Sequence, residues 1–304
     1  MNLPQRYQIQ LNCALAMCLS GAFFAFLTPV FLAAAQTAQG SAAVVSPDVP
    51  PRTWVESAAA NELSIIKDDG KVPLRYRVHK IDSKEDITRE VIETRDGTVA
   101  RLIERNGQKL TTAEDAAERE RLNDILASPA DFVRHHKRDD ATRVDSLQLV
   151  SQMPYAMIFT YAPGQPQLHG VPGRQIVIDF IPDKNYKTQE TLDDLLTGIQ
   201  GRMWIDAQSH RMVRVEGLVG EAVNFGWGIL GKINKGGTIV LEQANATGDR
   251  WVYSRLDTHL TMRVVVKTVA MNNKMTAWDF RPLPKPVSVQ EAVHTLLDMP
   301  VPLR

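Results

Sequence analysis

Cysteine is nearly absent from this chain, and so is charge near its start. Of 304 residues only two are cysteines, Cys13 and Cys18, and residues 11–35 carry no charged side chain. The surplus of Lys and Arg that neutralises phosphates is also missing. The 35 basic and 35 acidic side chains give zero formal net charge, which argues against a general nucleic-acid binder. No H-E-x-x-H or G-x-S-x-G string occurs, so neither a local zinc-protease motif nor a nucleophile elbow is present. His135 and His136 are adjacent, and neighbours on a helix diverge by about 100°, so the pair does not share a metal. The other five histidines are scattered. What is present, 44% hydrophobic and 23% charged residues, is the balance of a globular protein.

The uncharged stretch has an internal order. Leu11 to Leu27 is apolar, Thr28-Pro29 interrupts it, and Ala33-Ala34-Ala35 follows. Small residues at 33 and 35 fit signal-peptidase cleavage before Gln36, giving a signal peptide over 1–35. The other reading of the same run is an uncleaved membrane anchor, because about 17–25 apolar residues span a bilayer. Cys18 follows Met17 and Cys13 comes too early, so neither sits where a lipoprotein signal needs a cysteine. Both readings export the rest of the chain. Cleavage removes both thiols and Arg6, which leaves a cysteine-free chain with one net negative charge.

Residues 36–53, rich in Ala, Ser, Thr and Pro, read as a flexible leader. Trp54 to Ile66 is helix-like, with Ala58, Leu63 and Ile66 as a weak face. A β-meander is expected next. Leu74, Tyr76 and Val78 alternate with polar residues, and Asp96-Gly97 and Asn106-Gly107 are hairpin turns. Residues 112–150 switch to charged helix, capped at Thr112 with Asp115. Strands are expected over Tyr155 to Tyr161 and Gln175 to Ile181, then a helix over Glu190 to Ile199 with the stripe Leu192, Leu195, Leu196, Ile199. From Gly201 the pattern is almost all β, with Leu260 to Val269 read as one strand having an apolar face and a wet face. Arg281 to Pro286 is a stiff connector. Ser288 and Glu291 then form a capping box, and Val287 with Ala292 a hydrophobic staple, for a C-terminal helix over 287–298.

Gly226-Trp-Gly228-Ile-Leu-Gly231 matches G-x-G-x-x-G, but a dinucleotide site needs a strand before it and a helix after it. Here turn-like and strand-like residues follow. Its bulky Phe225, Trp227, Ile229 and Leu230 suit the rim of an apolar cavity.

The hairpin Gly201-Arg-Met-Trp-Ile-Asp206 … His210-Arg-Met-Val-Arg-Val-Glu216 resembles the outer-membrane lipoprotein-sorting superfamily, the LolA/LolB-like half-barrels. The likeness is clearest over 200–270. It implies a mainly β (α+β) fold, a curved antiparallel sheet or incomplete barrel with helices covering its concave side, over 54–280. It also implies a periplasmic location and acyl chains as ligands. The helical insertion at 112–150 and the Pro-linked C-terminal helix depart from that pattern.

The expected function is therefore a non-enzymatic exported envelope protein that binds a lipid or an acylated protein, with no cofactor and no metal. The candidate cavity lining is Tyr155, Met157, Phe159, Met203, Ile205, Trp227 and Met262, aromatic and thioether groups suited to adaptable apolar surfaces. A second reading is an envelope scaffold or interaction module, with a protein partner, whose barrel is filled by its own helices. The C-terminal helix is one candidate plug. A secreted hydrolase is the third. Membrane association is expected only through an uncleaved N-terminus.

Overall fold

A computed structural model of the chain describes residues 49–67, 72–136, 139–225, 231–248, 250–264 and 267–304. Helix α1 (Pro51–Lys67) precedes strands β1 (Leu74–Ile81), β2 (Asp86–Thr94), β3 (Gly97–Arg105) and β4 (Gln108–Lys109). Helices α2 (Thr112–Ala127), α3 (Pro129–His136) and α4 (Asp139–Ala156) follow. Then come β5 (Met157–Tyr161), β6 (Gln175–Pro182), a 3₁₀ helix (Thr191–Thr197), β7 (Ile199–Asp206) and β8 (Met212–Val219). Short strands β9 (Val223–Phe225) and β10 (Gly231–Ile233) lead to β11 (Thr238–Thr247), β12 (Arg250–Val264), β13 (Lys267–Pro282) and helix α5 (Val289–Asp298).

The strands form one antiparallel sheet in the order β4-β3-β2-β1-β13-β12-β11-β8-β7-β6-β5, with β10 bridging β12 and β9. Edges β4 and β5 do not meet, so the sheet is open, as the mainly β, incomplete-barrel expectation requires.

Register assigns the faces. Val91 opposes Tyr76, Val78 opposes Ala277, and Met275 opposes Leu256. Leu256 opposes Leu241, Leu241 opposes Val215, Val215 opposes Met203, and Met203 opposes Ile178. Residues directly opposed across an antiparallel pair share a face, so this row is the apolar inner face.

The outer face carries ion pairs. Glu90, fully buried, accepts from Arg75, Arg77 and Arg281. Farther along, Arg214 pairs with Glu216 and Glu242, and Arg202 binds Asp179 through two hydrogen bonds of 2.6 and 2.9 Å.

The two ends of the sheet are covered on opposite faces. At the β2–β3 end, α5 lays Val289, Ala292, Val293 and Leu296 against Ile92, Val99 and the α2 residue Leu122. Ile92 opposes Arg75 and so belongs to the outer face. The capping box of Ser288 and Glu291 is formed, and Val287 packs in the same cluster as Ala292. At the β5–β8 end, α1, α4 and the 3₁₀ helix cover the inner face. The outer face there is closed by the loop after β5, whose Pro166 carbonyl accepts the Trp204 indole N–H at 2.8 Å.

Several boundaries differ from the sequence reading. Helix α1 begins at Pro51, inside the expected leader, because proline suits the first helical turn, whose N–H groups lack intrahelical partners. The cap of α2 is Thr111 with Glu114, one residue earlier than expected. Leu260 to Val269 is not one strand. It is divided between β12 and β13, which pair antiparallel with Val264 opposite Lys267. The Asn106-Gly107 turn is borne out, with both residues at positive φ between β3 and β4.

Arg101 ties α5 to the sheet. It is 1% exposed, donates to the Leu296 and Met299 carbonyls at the end of α5, and pairs with Asp115 at 2.6 Å. Arg101→Met leaves helix-end carbonyls without their donor and removes one of the two arginines that pair with Asp115, Arg119 being the other. It is expected to lower the unfolding free energy by about 3 kcal/mol in urea titration.

Candidate functional site

Helix α1 is alanine-rich at Ala58-Ala-Ala60, which favours helix, and it buries Val55, Ala58 and Glu62, spaced i, i+3, i+7. That face rests on the inner surface of β5–β8. There Met157, Met203 and Ile205 are buried in one cluster with Val55, Ala58, Ile176, Ile178 and Phe180. Phe159 packs at its margin. Met262 is buried in a neighbouring cluster with Leu195, Phe225, Ile233 and Leu260. Five of the seven expected lining residues therefore lie in or against packed side-chain clusters. Each fully buried side chain of this size stabilises the fold by roughly 2–3 kcal/mol.

Tyr155 departs from the expectation. It belongs to the last turn of α4, not to a strand, and is 60% exposed. The alternation Tyr155, Met157, Phe159, Tyr161 looks like period two, but Pro154 sits in the helix terminus and the strand begins only at Met157. Trp227 lies outside the described residues. Its glycine-rich segment is flanked by β9 and β10, which pair antiparallel, with Gly231 opposite Phe225. That context is a β-hairpin and not the strand–helix turn of a dinucleotide site.

Gly201, from the hairpin motif, is required for close packing. A Cβ there would strike the Glu216 carbonyl and come within 2.9 Å of the Phe180 ring.

The C-terminal half of α1 supplies a polar clasp that the sequence reading missed. Glu62 accepts from Gln243 Nε2 at 2.6 Å and from the Tyr253 hydroxyl. Asn61 donates to the carbonyls of Ser209 and His210, and the Trp54 ring lies 4.6 Å from that of His210. The spacing of Glu62 from Val55 and Ala58 places it on the helix's buried face. That spacing was legible in the sequence, although its partners 181 and 191 residues away were not. Burial pushes the Glu62 carboxyl up to about 7, against the opposing effects of the Gln243 hydrogen bond and the Arg211 charge. The buried Gln243 Oε1 has no donor, so a protonated Glu62 has an acceptor beside it.

A cavity of about 420 Å³ opens between α1, α4 and the 3₁₀ helix. Among the described residues its walls include Leu63 and Leu147 and are otherwise polar, and none of the six described residues among the expected lining borders it. Among the described residues no group of three or more His, Cys, Asp or Glu is placed to hold a metal ion. Among them, too, no helix is long and apolar enough to cross a membrane.

No protein-family model matches the chain, and no curated protein matches it. Among solved structures, the crystal structure of MucB in complex with MucA(peri) aligns with 77% of this chain and 99% of that one, at 9% identity and a TM-score of 0.23. So low a score carries no argument about fold or function.

A raised carboxyl binds more protons in the folded than in the unfolded chain between its two pKa values. Stability from Glu62 is therefore fully present below about pH 4.5 and is lost as pH rises through about 7. Glu62→Gln is expected to flatten this slope, leaving the variant relatively more stable at pH 8 than at pH 5. Urea midpoints across that range measure it.

Proposed function

We propose that this is a non-enzymatic exported envelope protein that works by binding an envelope protein partner, with the inner face of its β5–β8 half filled by its own helices. The observation that carries the reading is the packing of Met157, Met203 and Ile205 under Val55 and Ala58. An acyl chain at those residues must first displace α1 and its polar clasp. Export rests on the uncharged, Ala-x-Ala-terminated N-terminal stretch. A distant relationship to the lipoprotein-sorting half-barrels stands on the Gly201–Glu216 hairpin motif.

The partner surface we assign is the β5 edge. Natural proteins blunt sheet edges with short strands, charge or proline. Edge β4 has two residues, one of them Lys109, and the next residue, Leu110, is bridged by Leu303. Edge β5, Met-Ile-Phe-Thr-Tyr, has no charge, proline or glycine. Ile158 and Ile181 oppose each other there and are 45% and 50% exposed.

A second reading keeps the lipid or acylated partner. It is favoured by the other half of the inner face. The cluster of Leu74, Tyr76, Val91, Leu256, Met275 and Ala277 includes no helix residue among the described ones. These side chains are buried, so in this reading the acyl chain parts them without displacing a helix.

Native mass spectrometry of protein purified from envelope membranes separates the two, together with site-specific photo-crosslinking from position 158. The first reading predicts a crosslinked protein partner that Ile181→Lys abolishes, and no stoichiometric lipid. Acyl-probe labelling centred on Leu256 and Met275, with no crosslink from 158, establishes the second and overturns the first. Removing residues 287–304 is expected to expose Ile92 and Val99 on the outer face and to leave acyl-probe binding unchanged.

A further inference from the structure

The cavity between α1, α4 and the 3₁₀ helix has a chemistry of its own, independent of the inner-face reading. Its lining is Leu63, Leu147, Gln148, Ser151, Gln152, Gln189, Glu190 and Asp193. Its volume, about 420 Å³, falls in the range of small-molecule sites.

The floor is built and rigid. Asp193 is fully buried, and its Oδ2 accepts the backbone N–H groups of Gln189 and Glu190 at 3.0 and 3.1 Å. Gln148 Nε2 donates to Asp193 Oδ1 at 3.0 Å. The Tyr186 hydroxyl lies 3.3 Å from Gln152 Oε1 and 3.4 Å from Asp193 Oδ2, one hydrogen shared between them. With both oxygens engaged, Asp193 is a positioning residue, and it orients two of the wall amides. Several groups are then left for a ligand. Gln148 keeps its amide oxygen and Gln152 its amide nitrogen. Gln189 keeps a side-chain amide that bonds to nothing among the described residues. Ser151, whose hydroxyl donates to the Gln148 carbonyl, keeps its lone pairs.

Amides both donate and accept, as hydroxyl groups do, and carboxylates accept from hydroxyls. Among the described residues the lining contains no Lys, Arg or His, so a phosphate or carboxylate finds no counter-charge from them, while Glu190 and Asp193 repel it. Leu63 and Leu147 supply apolar wall for C–H groups. We propose that this cavity is a binding site for a neutral polyhydroxylated ligand, a saccharide, held by Gln148, Ser151, Gln152, Gln189 and Glu190.

The test is titration of the full chain, followed by calorimetry and by backbone amide NMR, with cellobiose and N,N′-diacetylchitobiose. Glucose 6-phosphate and spermidine serve as the anionic and cationic comparisons. The expected result is saturable binding of a neutral disaccharide, with shifts centred on Gln148 to Gln152 and Gln189 to Asp193. Gln189→Leu, at an exposed side chain that supports nothing else, should keep the circular dichroism spectrum and weaken binding about tenfold, the loss of one or two hydrogen bonds. Ser151→Leu, which fills the cavity, should abolish it. Three results each overturn the proposal: no shifts with either disaccharide, undiminished affinity in Gln189→Leu, or tighter binding of glucose 6-phosphate or spermidine than of the sugars.

Discussion

Cross-strand register from β2 to β6 governs the rest of this structure. It places Val91, Tyr76, Met275, Leu256, Leu241, Val215, Met203 and Ile178 on one face and the arginine–carboxylate pairs on the other. A slip of one residue in any pair would exchange those sets. The outer-face ions would then be driven beneath α1, where they have no water and no partner. Glu90 clamps arginines from β1 and β13, and Arg202 with Asp179 does the same between β7 and β6. These pairs contribute to register as well as to stability, because each is satisfied only in the observed alignment.

An open sheet with one apolar face must cover it, and this chain does so unevenly. The β5–β8 half is closed by α1, α4 and the 3₁₀ helix through apolar packing. The strands beyond are gripped at the end of α1 by a buried carboxylate and two neutral donors. A polar clasp is directional, so it fixes where the helix lies more narrowly than alkyl contacts do. Burial raises the Glu62 carboxyl toward neutrality, so the clasp responds to pH. The C-terminal helix takes no part in it. Arg101 and the Ile92–Val99 surface hold it on the opposite face, so the role of plug falls to the helices that precede the sheet and interrupt it.

The same division bears on function. The residues whose chemistry suggested an acyl cavity are those that a packed core also selects, Met and Ile at alternate strand positions. What separates a cavity from a core is whether a helix from elsewhere in the chain fills the space. The partner and ligand sites we propose lie outside that packed core, at the β5 edge and in the polar space between the helices.

The sequence by itself determined the elements whose signals are local. The Asn106-Gly107 turn, the Ser288–Glu291 capping box and the predominance of antiparallel strands after Gly201 are all set by residues within a few positions of one another, whereas the stripe expected over Glu190 to Ile199 falls on a 3₁₀ helix, Thr191–Thr197, with Ile199 already in β7. It singled out Met157, Met203 and Ile205, which share one face of the strands because alternation in a strand fixes the face. It misplaced Tyr155, because apolar alternation across a helix end imitates a strand. Only the tertiary structure decided what covers the inner face, which face α5 takes, and that Glu62 meets Gln243 and Tyr253. Those outcomes depend on contacts between residues more than a hundred positions apart, for which one sequence carries no periodic signal, and on the fit of side chains in space.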